Sequence, residues 1–220
     1  MKCWYQNKCK LENENCQDNC LRFNNMKILT NNSNLPIDLQ FPIILNPEPI
    51  DREAFQDLTT LKDNIEEFVE KGFNLYLWSK GTGNGKTTWA SKLLMSYFNR
   101  IWVFSQLKCR GIYLYTPTFI NSLKTQYLNN NSLSDYVQDV KNANLIVLDD
   151  IGIGKLTDFD RNNLLDIIDY RLNNHKSIIF TSNLNREGIT NIFGDRLSSR
   201  IYNSSIVIEL RGRDRRGEVK

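Results

Sequence analysis

Between Asp51 and Glu70, Phe55, Leu58, Leu61, Ile65 and Phe68 recur every three or four positions among charged neighbours. That spacing predicts an amphipathic helix, and Gly72 stands where a left-handed cap would end it. Beyond Gly72 the pattern changes. Short apolar runs at 73–78, 112–115, 145–148, 177–181 and 206–210 predict strands. Between them, 86–97, 118–127, 133–140, 160–173 and 196–202 carry helical spacing, with a short further segment near Glu187. Alternating strands and helices predict an α/β fold in which a parallel sheet of five strands is covered on both faces.

Upstream the pattern fades. Residues 24–49 hold Pro36, Pro42, Pro47 and Pro49 among many asparagines and read as a linker, in which the apolar run Phe41–Leu45 is expected to dock on a neighbouring surface. Residues 1–24 have little apolar periodicity but contain four of the five cysteines. Such a segment has almost no core of its own and needs a staple. The expected organisation is a cysteine-bearing module at 1–24, a linker at 25–50 and the main domain at 51–220.

Composition narrows the function without naming it. With 220 residues the chain has room for one α/β domain and a small appendage, and its 40% hydrophobic and 24% charged residues are ordinary for a folded protein. Twenty-eight basic against 25 acidic residues leave a net charge of +3, so any contact with DNA must come from local placement. No apolar run approaches the roughly 18 residues of a membrane span and the N-terminus opens no signal-like stretch, so a cytoplasmic protein with no membrane partner is expected. The single histidine, His175, lies in a polar stretch, which excludes histidine-rich metal sites and leaves Ser/His/Asp or Cys/His catalysis without support.

The chemistry concentrates in three places. Gly81-Thr82-Gly83-Asn84-Gly85-Lys86-Thr87-Thr88 follows a predicted strand and opens a predicted helix, the setting in which a glycine-rich loop cradles phosphates. Backbone N–H groups would converge on a triphosphate, Lys86 would reach its β and γ phosphates, and Thr87 would hold Mg²⁺. One position departs from G-x-x-x-x-G-K-[ST]: Lys80 stands where the first glycine is usual. Next, the apolar strand 145–148 ends in Asp149 and Asp150. Asp149 is the candidate metal ligand and Asp150 the candidate base polarising the attacking water. Third, the run 178–182 ends in Asn183, whose neutral amide can orient that water or the γ phosphate.

Taken in order with Gly194-Asp-Arg-Leu-Ser-Ser-Arg-Ile201, these motifs resemble the AAA+ ATPases of the DnaC/DnaI helicase-loader group, phage versions included, with the IstB transposition ATPases as relatives. The resemblance covers about residues 50–216. It implies that Asn183 is sensor 1, that Arg200 is the arginine finger with Arg196 as a lesser candidate, and that Arg216 in Gly212–Arg216 matches the sensor 2 arginine. Many AAA+ proteins continue into a helical lid; this chain stops four residues after Arg216, so the lid is expected to be absent. A finger arginine supplied by an adjacent subunit makes hydrolysis depend on self-association through AAA+ interfaces.

Cys3, Cys9, Cys16 and Cys20 supply four thiolates, enough for tetrahedral Zn²⁺, with free thiols as the alternative. The resemblance adds that Gram-positive loaders carry an N-terminal zinc-binding domain that contacts the replicative helicase. Phe119 and Lys124, after the second strand, form a candidate single-stranded DNA contact by stacking and phosphate neutralisation, with core packing as the rival reading. The resulting expectation is a slow, assembly-dependent ATPase that loads a hexameric replicative helicase onto single-stranded DNA, using ATP, Mg²⁺ and Zn²⁺. Its rivals are an IstB-like transposition ATPase acting on duplex DNA, a small-molecule P-loop kinase, and a zinc adaptor with a vestigial ATPase.

Overall fold

A computed structural model describes residues 3–5, 9, 19–41, 44–104, 109–129, 133–154 and 156–215. Five strands, β1 (Asn74–Trp78), β2 (Gly111–Tyr115), β3 (Leu145–Ile151), β4 (Ser177–Ser182) and β5 (Ser205–Glu209), form one sheet in the order β2-β3-β4-β1-β5. Every neighbouring pair is parallel, as the alternating pattern predicts. The helices are α1 (Leu21–Asn31), α2 (Arg52–Asp63), α3 (Ile65–Glu70), α4 (Lys86–Ile101), α5 (Thr116–Asn129), α6 (Leu133–Asn142), α7 (Asp158–Asn173) and α8 (Arg186–Asn203).

Strand parity divides the core in two. Leu75, Leu77, Leu145, Val147 and Ile179 point to one face, where they pack with α1, α2, α3 and α4. Tyr76, Ile146, Leu148, Ile178 and Phe180 point to the other and meet α5, α6, α7 and α8. Strands buried on both faces carry apolar residues at consecutive positions, which is why their runs were legible without alternation. Arg171 ties α6, the turn that leads from it to β3, and β4 together: fully buried, it donates to the carbonyls of Val140 (2.6 Å), Ala143 (2.8 Å) and Ser177 (2.6 Å). Burial pulls its pKa down to about 9, which leaves the guanidinium charged at neutral pH.

Two elements differ from the periodicity reading. The helix expected over 51–70 is broken at Asn64 (φ −108°, ψ 24°), whose side-chain amide donates to Thr60 O at 2.9 Å and competes with helix continuation. The stretch read as a linker opens with a helix. No proline precedes Pro36, and α1 turns Met26 and Leu29 into the same core as the sheet. The expected boundary between residues 24 and 25 therefore falls inside α1. Trp4 stacks on Phe41 with ring centroids 6.0 Å apart and meets Phe23 at 5.4 Å, so the N-terminal residues touch the main body too. Among the described residues, no helix is long and apolar enough to cross a membrane.

Candidate active site

The C-terminal ends of β1, β3 and β4 converge on one corner. β1 delivers the chain into the glycine loop, which needs backbone freedom at two points. Gly83 has φ 71°, and a Cβ there would lie 1.7 Å from the Asp214 carboxylate; Gly85 has φ 101°, and its Cβ would meet Leu45 Cδ1 at 2.5 Å. In this second contact Leu45, at the end of the apolar run, docks on the loop. Lys86 is buried at the first turn of α4 and its ammonium donates to Gly81 O (2.9 Å) and Asn84 Oδ1 (3.1 Å). Asn84 in turn donates to Ser79 Oγ, and Gly81 N donates to the same oxygen at 3.1 Å. The loop is thus held in a ring by its own side chains, with Lys86 curled back across it.

Asp149 is 2% exposed and is the hub of the corner. It accepts hydrogen bonds from Thr87 Oγ1 (3.0 and 3.1 Å to its two oxygens), Tyr113 OH (2.6 Å) and Thr181 Oγ1 (2.5 Å). Parity explains the meeting: Tyr113, Asp149 and Thr181 all lie on the α4 side of the sheet, on the adjacent strands β2, β3 and β4. Burial, reinforced by the Asp149 charge, pushes the Tyr113 hydroxyl well above the ordinary phenol range, so it stays a donor.

Asp150 follows a different rule. The β3–β4 register breaks between Leu148 and Ile151, and Ile151 returns to the face of Ile146 and Leu148, so one extra residue is inserted. Asp150 takes the left-handed conformation there (φ 57°), and its N–H is held by Thr181 Oγ1 at 2.9 Å. A non-glycine residue in that region is under strain. One residue beyond β4, the amide oxygen of Asn183 is buried and has no hydrogen-bond partner among the described residues. Asp149, Asp150, Asn183 and the glycine loop are therefore brought to one end of the sheet.

The family model described as "IstB-like ATP binding protein" matches residues 46–212, from the strap before α2 through the end of the sheet. The chain belongs to that family. The IstB-like protein is also 26% identical over 182 residues to the replicative helicase loader DnaI of Bacillus subtilis (strain 168), an alignment covering 77% of this chain and 55% of that protein. It thus spans about half the length of that relative. Its fold matches the crystal structure of the DnaC helicase loader with a TM-score of 0.63 at 24% identity, over 76% of this chain and 94% of that one. The crystal structure of DnaI gives 0.66 at 19% identity, over 80% and 95% respectively. At such identities the structural likeness speaks for the fold alone; it is the family match and the DnaI alignment that make this chain an IstB-like AAA+ ATPase related to the DnaC/DnaI loaders.

Arg200 and Arg196 sit apart from the glycine loop, on the second half of α8 beyond a kink at Gly194 (φ 80°, ψ 167°). Both pair with Asp169 on α7, Arg200 Nε at 2.8 Å and Arg196 Nη2 at 3.6 Å. Arg216 lies outside the described residues, as does Cys16. The chain just before Arg216 reaches the loop all the same: Arg215 N donates to Gly83 O at 3.0 Å, and Thr82 Oγ1 donates to Asp214 Oδ2 at 3.3 Å. This arm is fastened from below by Asp51, which accepts from Arg211 N (2.7 Å) and Gly212 N (2.9 Å), and by a Glu48–Arg213 ion pair at 3.2 Å.

The DNA-contact expectation needs correction. Phe119 is 4% exposed and packs edge-on against Tyr136, so it has no open ring face for a base. Lys124 is ion-paired at 2.9 Å with Asp160, which also closes the capping box that starts α7, so its charge is already balanced. The zinc ligands are only partly visible. Cys3 Sγ accepts from Tyr5 N (3.4 Å) and Cys20 Sγ from Phe23 N (3.4 Å), but among the described residues no three potential ligands are grouped to hold a metal. Sequence reasoning missed Tyr113, Thr181, Asp51 and Asp214. The first two were findable only once the strand order was known, since their role depends on which strands flank β3.

Proposed function

We propose that this IstB-like protein is an ATP-dependent loader of a hexameric replicative helicase onto single-stranded DNA, working in the cytoplasm as an assembly switch. The observation that carries the reading is the division of the catalytic set: a nucleotide corner built around Lys86 and Asp149, and arginines displayed elsewhere on α8. Lys86 would neutralise the phosphates, while Thr87 and Asp149 would hold Mg²⁺. The fit is chemical: a hydroxyl and a carboxylate already in contact at 3.0 Å offer the hard oxygen ligands that ion prefers. Bound there, the metal would offset charge on the β and γ phosphates. Gly81, Thr82, Gly83, Asn84, Gly85 and Thr88 complete the cradle. Asp150 polarises the attacking water and Asn183 orients it. Arg200 stabilises the developing charge from a neighbouring subunit, so turnover requires a second copy. Zinc on Cys3, Cys9, Cys16 and Cys20 would staple the N-terminal segment, which would contact the helicase. Likeness to a protein described as a replicative helicase loader supports the partner; the nucleotide corner supports the ATPase.

The test is a pull-down from host lysate with and without ATP, using wild type and Lys86→Ala. Recovery of a hexameric helicase by the wild type, altered by ATP and insensitive to ATP in the variant, is expected. The family match itself favours a second reading, an IstB-like partner ATPase of transposition. That reading is preferred if ATP-dependent assembly occurs on duplex rather than single-stranded DNA and no helicase is recovered.

A further inference from the structure

The second half of α8 is anchored from below. Leu197, Ser198 and Ile201 are buried in the core, and Ser198 Oγ shares a 2.7 Å hydrogen bond with Thr190 Oγ1, so the backbone under Arg196 and Arg200 is fixed. The two guanidiniums are not: their side chains remain 74% and 51% exposed. Four residues apart on one helix face, they repel each other, and long exposed side chains keep their rotamer freedom. A catalytic arginine placed only by its own stem would sample many orientations.

One carboxylate changes this. Asp169 projects from α7, whose Ile167 and Ile168 are buried, and its side chain is only 22% exposed. Its two oxygens divide between the arginines, Oδ1 to Arg200 Nε at 2.8 Å and Oδ2 toward Arg196 Nη2 at 3.6 Å. The choice of nitrogen matters. A guanidinium gripped through Nε keeps its Nη1/Nη2 edge available, and that two-pronged edge can hold two oxygens of one phosphoryl group at once.

We infer that Asp169 is the positioning residue of Arg200: it binds the inner nitrogen, relieves the repulsion from Arg196, and presents the outer edge of the guanidinium to a phosphate on another copy of the chain. This rests on the reading of Arg200 as a finger acting across an interface. Among the described residues the ion pairs of Asp169 are with Arg196 and Arg200 and not with the phosphate loop, so its removal should leave nucleotide affinity intact and lower turnover alone.

Asp169→Asn, Asp169→Glu and Arg200→Ala are compared in full-length protein for ATP-analogue affinity, thermal midpoint, and ATP turnover over a protein concentration series. Asp169→Asn is expected to lower kcat by about ten- to a hundredfold, with affinity and midpoint unchanged, because a misoriented group costs rate without costing binding. Asp169→Glu should restore part of the loss. Mixing gives a direction: Asp169→Asn subunits keep an intact nucleotide site, so turnover should recover with Asp150→Asn subunits, which bring a positioned Arg200, and should not recover with Arg200→Ala subunits. Wild-type turnover in Asp169→Asn beside a dead Arg200→Ala overturns the inference and spares the finger reading. Wild-type turnover in Arg200→Ala overturns both. Equal recovery with either partner, or a parallel fall in affinity and midpoint, also overturns the role assigned to Asp169.

Discussion

Thr181→Val isolates the link between the two carboxylates. Valine keeps the shape of threonine and removes one hydroxyl, which in this structure is fully buried and acts twice: it donates to Asp149 Oδ1 at 2.5 Å and accepts from Asp150 N at 2.9 Å. A hydrogen bond to a charged group contributes about 1.5–3 kcal/mol and one between neutral groups about 1 kcal/mol. Burying a methyl in place of the hydroxyl returns about 0.8 kcal/mol, so the net loss should be about 2 kcal/mol. For a domain of this size that corresponds to a fall in melting midpoint of roughly 4–8 °C. The functional consequence is larger than the thermodynamic one, because Asp150 N would lose its partner just where the backbone holds a left-handed conformation, and the Asp150 carboxylate would drift. Turnover should drop about tenfold or more, while ATP-analogue affinity, which depends on Lys86 and the glycine loop, stays close to wild type. Differential scanning calorimetry and steady-state ATPase rates measure both halves. A midpoint within about 1 °C of wild type together with unchanged turnover would refute the reasoning that Thr181 couples Asp149 to Asp150.

Lys86→Ala should abolish binding of a fluorescent ATP analogue without unfolding the domain, since it removes a phosphate partner and no apolar contact; retained affinity would sink the phosphate-loop assignment. Asp214 lies against Thr82 and Gly83, so a nucleotide's phosphates must approach a carboxylate. Two like charges about 4 Å apart cost about 1 kcal/mol even in water, so Asp214→Asn should tighten nucleotide binding about fivefold, and unchanged or weaker binding in titration calorimetry would contradict this. Arg171→Met should lower stability by about 3 kcal/mol or more, because the carbonyls of Val140, Ala143 and Ser177 lose their donor inside the core; chemical denaturation measures it, and a loss under about 1 kcal/mol would show that these carbonyls find other partners. Asp160 titrates the α7 cap: burial pushes its pKa up, but Lys124 and Thr157 outweigh this and hold it below the usual carboxylate range. The stability it contributes is present above the unfolded value and is lost as pH falls through the folded one. Acid unfolding followed by circular dichroism should therefore begin at higher pH in Lys124→Met, and an unshifted onset would speak against the pairing.

What the sequence determined by itself was everything carried by local order along the chain. Strand and helix identity after Gly72, the glycine loop at a strand-to-helix junction, and Asp149 and Asn183 at strand ends all follow from period, composition and spacing, which are properties of consecutive residues. Tertiary structure decided what depends on which segments become neighbours. Tyr113 and Thr181 serve Asp149 because β2 and β4 flank β3, an order that the chain's linear sequence does not contain. Asp150 gains its strained backbone from a bulge that exists only as a register shift between paired strands. For Phe119 the sequence leaves a DNA contact and core packing both open, and the structure buries it, since the same helical spacing serves a core face and a surface stripe until the packing partner is known. The residues between 21 and 31 formed a helix because the sheet offered Met26 and Leu29 a surface to cover, and burial on a partner, more than propensity, stabilises a helix of that length.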